Sequence, residues 1–232
     1  MNLPGWLDPL VEVAASVQAE QLSGFLPPED GGGRPSAVLM LFWSDEQRGI
    51  QVLLIERARG LRRHAGQPAF PGGVLDPGDA GLAAAALRET VEETGLDPSG
   101  VQVFATLPAV FIPFTGYVVT PVLAWWREPS PVAAVDPAEV AAVHAVALAD
   151  LVNPDNRVTV HHPPTGRTMP GFRVNGMLVW GFTAGLLDKL IRLAGWERPW
   201  SPEVVVDLPD DVLRLAGYPQ PDEVEFANEV DA

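Results

Sequence analysis

Between residues 6 and 21 the apolar positions are spaced as on one face of a short helix. Proline and glycine in PPEDGGGRPS (27–36) end that pattern and read as a linker. Two short apolar runs, 36–43 and 50–56, flank the polar SDEQRG and predict an antiparallel hairpin. A long loop punctuated by glycine and proline follows at 58–78, and FPGG (70–73) concentrates unusual backbone geometry within it. The alanine-rich run 80–94 is the clearest helix signal. Asp79 is placed to cap its N-terminus, and Gly95 ends it in the left-handed conformation that glycine adopts readily. Strands are predicted at 101–110, 117–126 and 142–147, a further hairpin at 157–162 and 167–175, and a second amphipathic helix at 179–194. This order of strands, helix, strands and helix predicts an α/β fold with a mixed β-sheet between helices. It divides the chain into an N-terminal helix and linker (1–35), a central domain (36–195) and a C-terminal extension (196–232). The acidic, proline-containing end from Pro219 is expected to be loosely ordered.

Composition narrows the function classes. A chain of 232 residues is long enough for one sizeable core. The absence of cysteine excludes disulfides, thiolate catalysis and cysteine-ligated metals. A formal net charge of -15 repels phosphate-rich polymers, so no nucleic-acid partner is expected. The opening MNLPGWLDPLVEVAASVQAE has no basic region and carries Asp8 and Glu12 inside its apolar stretch, unlike a secretory signal. No apolar run reaches the length of a membrane span, and a cytoplasmic protein is the expectation.

The candidate chemistry begins at LRETVEETGL (87–96). At about 100° per residue, Ala83, Ala84, Val91 and Thr94 group around Leu87 as an apolar face, with Glu89 and Glu93 on the opposite side. Glu92 lies between, within i,i+4 reach of Arg88. Like charges at i,i+4 in the last turn, where the helix dipole disfavours anions, destabilise the helix by a few tenths to about 1 kcal/mol each. A bound cation would offset this, and oxygen-only ligands favour Mg²⁺ or Mn²⁺. From the helix alone, a metal-binding face and an ordinary solvated acidic face explain the three glutamates equally well.

The residues upstream shift that balance. Gly72 and Gly73 lead into the helix and allow backbone to approach a ligand closely or to present a carbonyl to a metal. GGVLDPGD…LRETVEETGL resembles the Nudix box, whose pattern is Gly, five residues, Glu, seven residues, then Arg-Glu-U-x-Glu-Glu-x-Gly-U, with U a bulky apolar residue. Gly73, Arg88, Glu89, Glu92, Glu93, Gly95 and Leu96 match it. Asp79 stands for the first acid with eight residues before Arg88, which leaves helix capping as its expected role, and Thr90 replaces the apolar residue. Farther upstream, LLIERARGLRRHAGQPAFPGG (53–73) resembles the signature of the coenzyme A pyrophosphatase branch of that family, and VWGFTAGLL (179–187) is similar to another stretch of the branch.

This resemblance implies a Nudix-type α/β/α sandwich and a metal-dependent pyrophosphatase that cleaves coenzyme A, or its acyl or oxidised forms, to 3′,5′-ADP and 4′-phosphopantetheine. It implies Glu89 and Glu93 as metal ligands with the Gly73 carbonyl, and Glu92 as a further ligand or water-orienting group. Glu139 in DPAEV is the expected general base, so Glu92, Glu93 and Glu139 make up the catalytic set. Arg57, Arg59, Arg62 and Arg63 gather four guanidinium groups within seven residues of an otherwise acidic chain, suited to a substrate rich in phosphate. His64 and Gln67 complete the expected substrate loop, although each could equally hold the loop itself. Two alternatives stand beside this reading: a Nudix pyrophosphatase for ADP-ribose or another nucleoside diphosphate derivative, and a non-catalytic nucleotide-sensing domain. The N-terminal helix and apolar patches would serve a homodimer.

Overall fold

The computed structural model describes residues 3–61 and 64–215. Arg62, Arg63 and the acidic end from Pro219 therefore lie outside the described residues. A 3₁₀ turn leads into α1 (Asp8–Ser16) and α2 (Ala19–Leu22), then come β1 (Arg34–Asp45), β2 (Gly49–Arg57), β3 (Pro68–Ala69) and β4 (Gly72–Val74). Helix α3 (Leu82–Thr94) precedes β5 (Val101–Thr106), β6 (Val110–Ile112), β7 (Tyr117–Trp126), β8 (Val140–Ala147) and α4 (Leu148–Leu151). The chain continues through β9 (Arg157–His162), β10 (Arg167–Val174), β11 (Met177–Val179), α5 (Gly181–Leu193), β12 (Val205–Asp207) and α6 (Asp210–Leu215). No described helix is long and apolar enough to cross a membrane.

The main sheet is mixed. β1 runs parallel to β7, while β2, β5 and β8 pair antiparallel with their neighbours. Its central strands read as continuous apolar runs because both faces are covered. Leu39, Leu41 and Trp43 join the cluster beneath α3 with Leu53, Val122, Ala124 and Trp126. Met40 and Phe42 point the other way, into a larger cluster with Leu10 and Val13 of α1 and Leu187, Leu190 and Ile191 of α5. Helices thus cover both faces, the sandwich expected from the order of elements. The N-terminal helices share this core, and the 205–207 segment pairs with β9, so both extensions are packed onto the central unit.

The predicted hairpin is present but diverges early. β1 and β2 pair only from Phe42–Asp45 to Gly49–Val52. Beyond that, β1 takes β4 as its partner and β2 takes β3. The loop expected across 58–78 therefore contains two short strands, invisible to periodicity because two or three residues carry no period. The helix expected at 6–21 is broken where Val17 turns extended, and Gln18 starts α2 through a reciprocal capping box with Gln21. The strand expected at 101–110 is likewise split into β5 and β6. Residue 179, expected in a helix, ends β11 instead, and α5 starts at Gly181.

A second, four-stranded sheet in the order β11-β10-β9-β12 was not legible as a separate layer. At its junction with α5, Arg157 is 2% exposed, pairs with Asp188, and lies between the rings of Phe172 and Trp200, each 4.6 Å from the guanidinium carbon. Breaking a buried pair by removing one partner leaves an uncompensated charge. Asp188→Ala is expected to lower unfolding free energy in urea by about 3–5 kcal/mol, and Arg157→Met with Asp188→Leu to recover most of it. A loss below about 1 kcal/mol for Asp188→Ala would show that the rings alone accommodate the guanidinium.

Candidate active site

The buried side of α3 differs from the face centred on Leu87. Ala85, Ala86, Thr90, Glu93 and Thr94 are its buried residues, a rotation of roughly 100° toward Glu93. Thr90 fits where an apolar residue was expected because its hydroxyl donates to the Ala86 carbonyl (2.7 Å), and Thr94 does the same to Thr90 (2.6 Å). Glu93 consequently lies at the margin of the core rather than opposite to it, with only 7% exposure. Its Oε2 accepts the Gly72 N–H at 3.0 Å, and its Oε1 is 3.8 Å from Arg57 Nη1. Burial pushes its pKa up to about 7; the Gly72 amide and Arg57 oppose the rise, while Glu89 and Glu139 add to it.

The two glycines are required for different reasons. Gly72 has φ +150°, and a side chain there would run into the Ala37 carbonyl and Val38 of β1. Gly73 faces Ala37 across the ladder, and the Glu89 carboxyl fills the space a Cβ would take. Close backbone approach thus sets Glu89 and Glu93 beside the β4 backbone.

Arg88 ties the acidic groups together. Its guanidinium bonds both Asp79 oxygens at 3.0 Å, Glu92 Oε2 at 3.1 Å and the Val74 carbonyl at 3.1 Å, and lies 3.0 Å from Glu89 Oε1. This corrects the capping role expected for Asp79. The helix starts three residues later, at Leu82, with Gly81 at its N-cap, and Asp79 instead holds Arg88 while accepting the Asp76 N–H. The Arg88 guanidinium keeps the Asp79 carboxyl below the usual carboxylate range. Burial raises Glu89, partly opposed by Arg88. Glu92 pairs with Arg88 as expected from i,i+4 spacing and has a 57% exposed side chain.

The loop after β2 folds back against this cluster. Arg57 donates its backbone N–H to Gln67 O and accepts from Gly66, which closes the loop on itself. His64, at φ +55°, places Nδ1 3.0 Å from Gln67 Oε1, so these two side chains bond within the loop. Phe70 is buried in the core. Glu139 has an exposed side chain, its carbonyl accepts the Ala58 N–H, and its charge reaches Glu93. The structure therefore brings Arg57, Gly73, Glu89, Glu92, Glu93 and Glu139 around one end of α3; Arg59 and the His64–Gln67 pair belong to the adjoining loop. Residue-level reasoning missed Thr183, whose buried hydroxyl donates to the Pro68 carbonyl at 3.1 Å and fastens α5 to β3. The signal was the 179–187 stretch, which carried no mechanism until its neighbour was known.

Glu93 gives a pH-dependent test. A carboxyl whose pKa rises from 4.5 to about 7 on folding favours the folded state fully below pH 4.5, and stability falls as pH rises through that window. Glu93→Gln, measured without added metal, should match the wild type near pH 4 and exceed it by about 2–3 kcal/mol above pH 7. A difference that stays constant with pH would remove the ionisation argument. Gly73→Ala should push the Glu89 carboxyl aside and lower turnover while changing the melting temperature little, because what the added Cβ meets is the far end of a flexible side chain.

Comparison with known proteins covers the segment that holds this cluster. The NUDIX domain profile matches residues 33–167, more than half of the chain. An uncharacterized Nudix hydrolase NudL of Cronobacter sakazakii is 40% identical over 172 residues, 72% of this chain and 85% of that protein. Its Escherichia coli O1:K1 / APEC counterpart is 40% identical over 168 residues, 70% of this chain and 83% of its own. In the crystal structure of the Nudix hydrolase RenU from M. Smegmatis, the same fold covers 77% of this chain and 99% of that one, at TM-score 0.51 and 21% identity. With the NUDIX profile over more than half of the chain and relatives at 40% identity matched over most of their length, the chain belongs to the Nudix family and is a hydrolase.

Proposed function

We propose that this hydrolase cleaves the diphosphate bond of coenzyme A, or of its acyl or oxidised forms, to 3′,5′-ADP and 4′-phosphopantetheine. The observation that carries the reading is the return of the arginine-bearing loop to the carboxylate helix, with Arg57 3.8 Å from Glu93. A guanidinium beside acidic ligands suits a substrate whose phosphates must be held next to bound cations.

The residues fit Mg²⁺ or Mn²⁺. The donors are all oxygen, and the ionised form of buried Glu93 calls for more positive charge than one amide and a distant guanidinium supply. Glu89, Glu93 and the Gly73 carbonyl would hold the ion. Among the described residues no three acidic or histidine side chains gather closely enough to hold a metal ion by themselves, so the ion would depend on the Gly73 carbonyl, waters and substrate oxygens for its remaining ligands. When bound, the metal neutralises diphosphate charge and makes water a better nucleophile. Arg88 fixes the rotamer of Glu89 and draws Glu92 to the exposed side, where Glu92 can orient water or serve a further ion. Glu139, exposed and near enough for Glu93 to sense its charge, would take the water's proton. Arg57 and Arg59 would bind the diphosphate, and Arg62 and Arg63 in the same loop would read the 3′-phosphate.

The direct test is incubation with coenzyme A and Mg²⁺, with ADP-ribose in parallel, and product identification by mass spectrometry. Formation of 3′,5′-ADP and 4′-phosphopantetheine is expected; cleavage of ADP-ribose alone would retain the hydrolase and discard the coenzyme A reading. EDTA should stop turnover and Mg²⁺ or Mn²⁺ restore it. Glu93→Gln should lower kcat by more than the ~100-fold typical of losing an outer partner of a metal ligand. Replacing Arg62 and Arg63 by Ala should reduce kcat/KM for coenzyme A about tenfold or more beyond any loss on dephospho-coenzyme A. Equal losses on both substrates would take the 3′-phosphate away from these arginines.

A further inference from the structure

Two arginines serve the carboxylates of α3, and they are held very differently. Arg88 is locked by short contacts with Asp79, Glu92 and the Val74 carbonyl. Arg57 is fixed only through its backbone. Its N–H and carbonyl bond Gln67 and Gly66, and the β2–β8 register shifts between Glu56 and Arg57. Its side chain stays under-used: Nη1 is 3.8 Å from Glu93 Oε1, beyond hydrogen-bond geometry, and the buried Nε has no hydrogen-bond partner. With 30% of its side chain exposed, Arg57 faces both the buried carboxyl and the open side of the site.

This placement has a consequence for any second cation. A guanidinium 3.8 Å from Glu93 offsets part of the carboxylate's charge. A divalent ion arriving at the same oxygen meets a like charge a few ångströms away and binds less well. Diphosphate oxygens would offer Arg57 the short, charge-assisted bonds that Glu93 does not.

We infer that Arg57 is a positioning residue that couples metal to substrate. In the substrate-free enzyme it is the counter-ion of Glu93 and holds metal affinity down. When a diphosphate enters, Arg57 turns to the phosphate oxygens and leaves Glu93 to the metal. The free enzyme therefore binds metal weakly, and metal and substrate strengthen one another's binding. The inference rests on Glu93 being a metal ligand, and the experiment separates the two ideas.

The test is a titration of substrate-free protein with Mn²⁺ at pH 8.5, where carboxylates compete least with protons for the ion, following free Mn²⁺ by electron paramagnetic resonance. Wild type, Arg57→Gln, Arg57→Lys and Glu93→Gln are compared, with circular dichroism confirming that each is folded. Arg57→Gln should bind Mn²⁺ at least about fivefold more tightly than wild type, because a neighbouring positive charge has gone. Arg57→Lys should restore the wild-type affinity, which a merely structural role would not predict. In turnover, Arg57→Gln should raise KM for substrate more than it lowers kcat. Unchanged or weaker Mn²⁺ binding by Arg57→Gln would overturn the inference, as would a Lys variant that binds as tightly as the Gln variant. Should Arg57→Gln fail to fold, Arg57→Lys decides alone, since any tightening despite the retained charge contradicts the counter-ion role. If Glu93→Gln binds Mn²⁺ as well as wild type, the metal-ligand reading of Glu93 fails instead, whatever the Arg57 variants do.

Discussion

Glu93 carries a carboxyl into the margin of the core, where burial lifts its pKa to about 7, and its surroundings are arranged to accommodate that charge. The Gly72 amide reaches it because Gly72 can lie flat against β1, and Arg57 lies beside it because the β2 bulge and the loop closure point it there. Each of these features exacts local stability or conformational freedom. Together they leave a carboxylate short of positive charge, the state that its proposed role as a metal ligand would use.

Arg88 solves the complementary problem. Four acidic groups, Asp76, Asp79, Glu89 and Glu92, crowd around its guanidinium, and their mutual repulsion would otherwise scatter the side chains. A rigid five-donor fork can meet several carboxylates in one plane, which lysine cannot. Asp79 is therefore better understood through Arg88 than through the helix N-terminus. The extra residue before Arg88 does not disturb this, because the helix simply begins at Leu82 and the preceding turn absorbs the difference.

The second sheet and α5 act at a distance. The Thr183–Pro68 bond ties α5 to β3, and the ring-flanked Arg157–Asp188 pair ties the same helix to β9. The splayed ends of β1 and β2, which carry β3 and β4, are thus braced from below by a helix whose own seat is fixed by a buried ion pair. Such a pair contributes little net stability against an apolar replacement. Its directional bonds do, however, set where α5 lies.

By itself the sequence determined the strongly periodic features: the β1–β2 hairpin, the long helix ending at Gly95, the apolar strands buried on both faces, and the alignment of Glu89, Glu92 and Glu93 with Arg88 near one helix end. These depend on neighbours within one or two turns or across one tight connection, so local spacing is sufficient. What only tertiary structure decided depends on partners far along the chain. The buried side of α3 turned toward Glu93 because the sheet, not helical hydrophobicity, selects which side is covered, and Thr90 could satisfy its hydroxyl internally. Strands β3 and β4 exist because β1 and β2 diverge, and Gly73 is glycine because Glu89 occupies its side-chain space. The meeting of Arg57 with Glu93 joins residues 36 positions apart through a loop closure that no periodicity encodes.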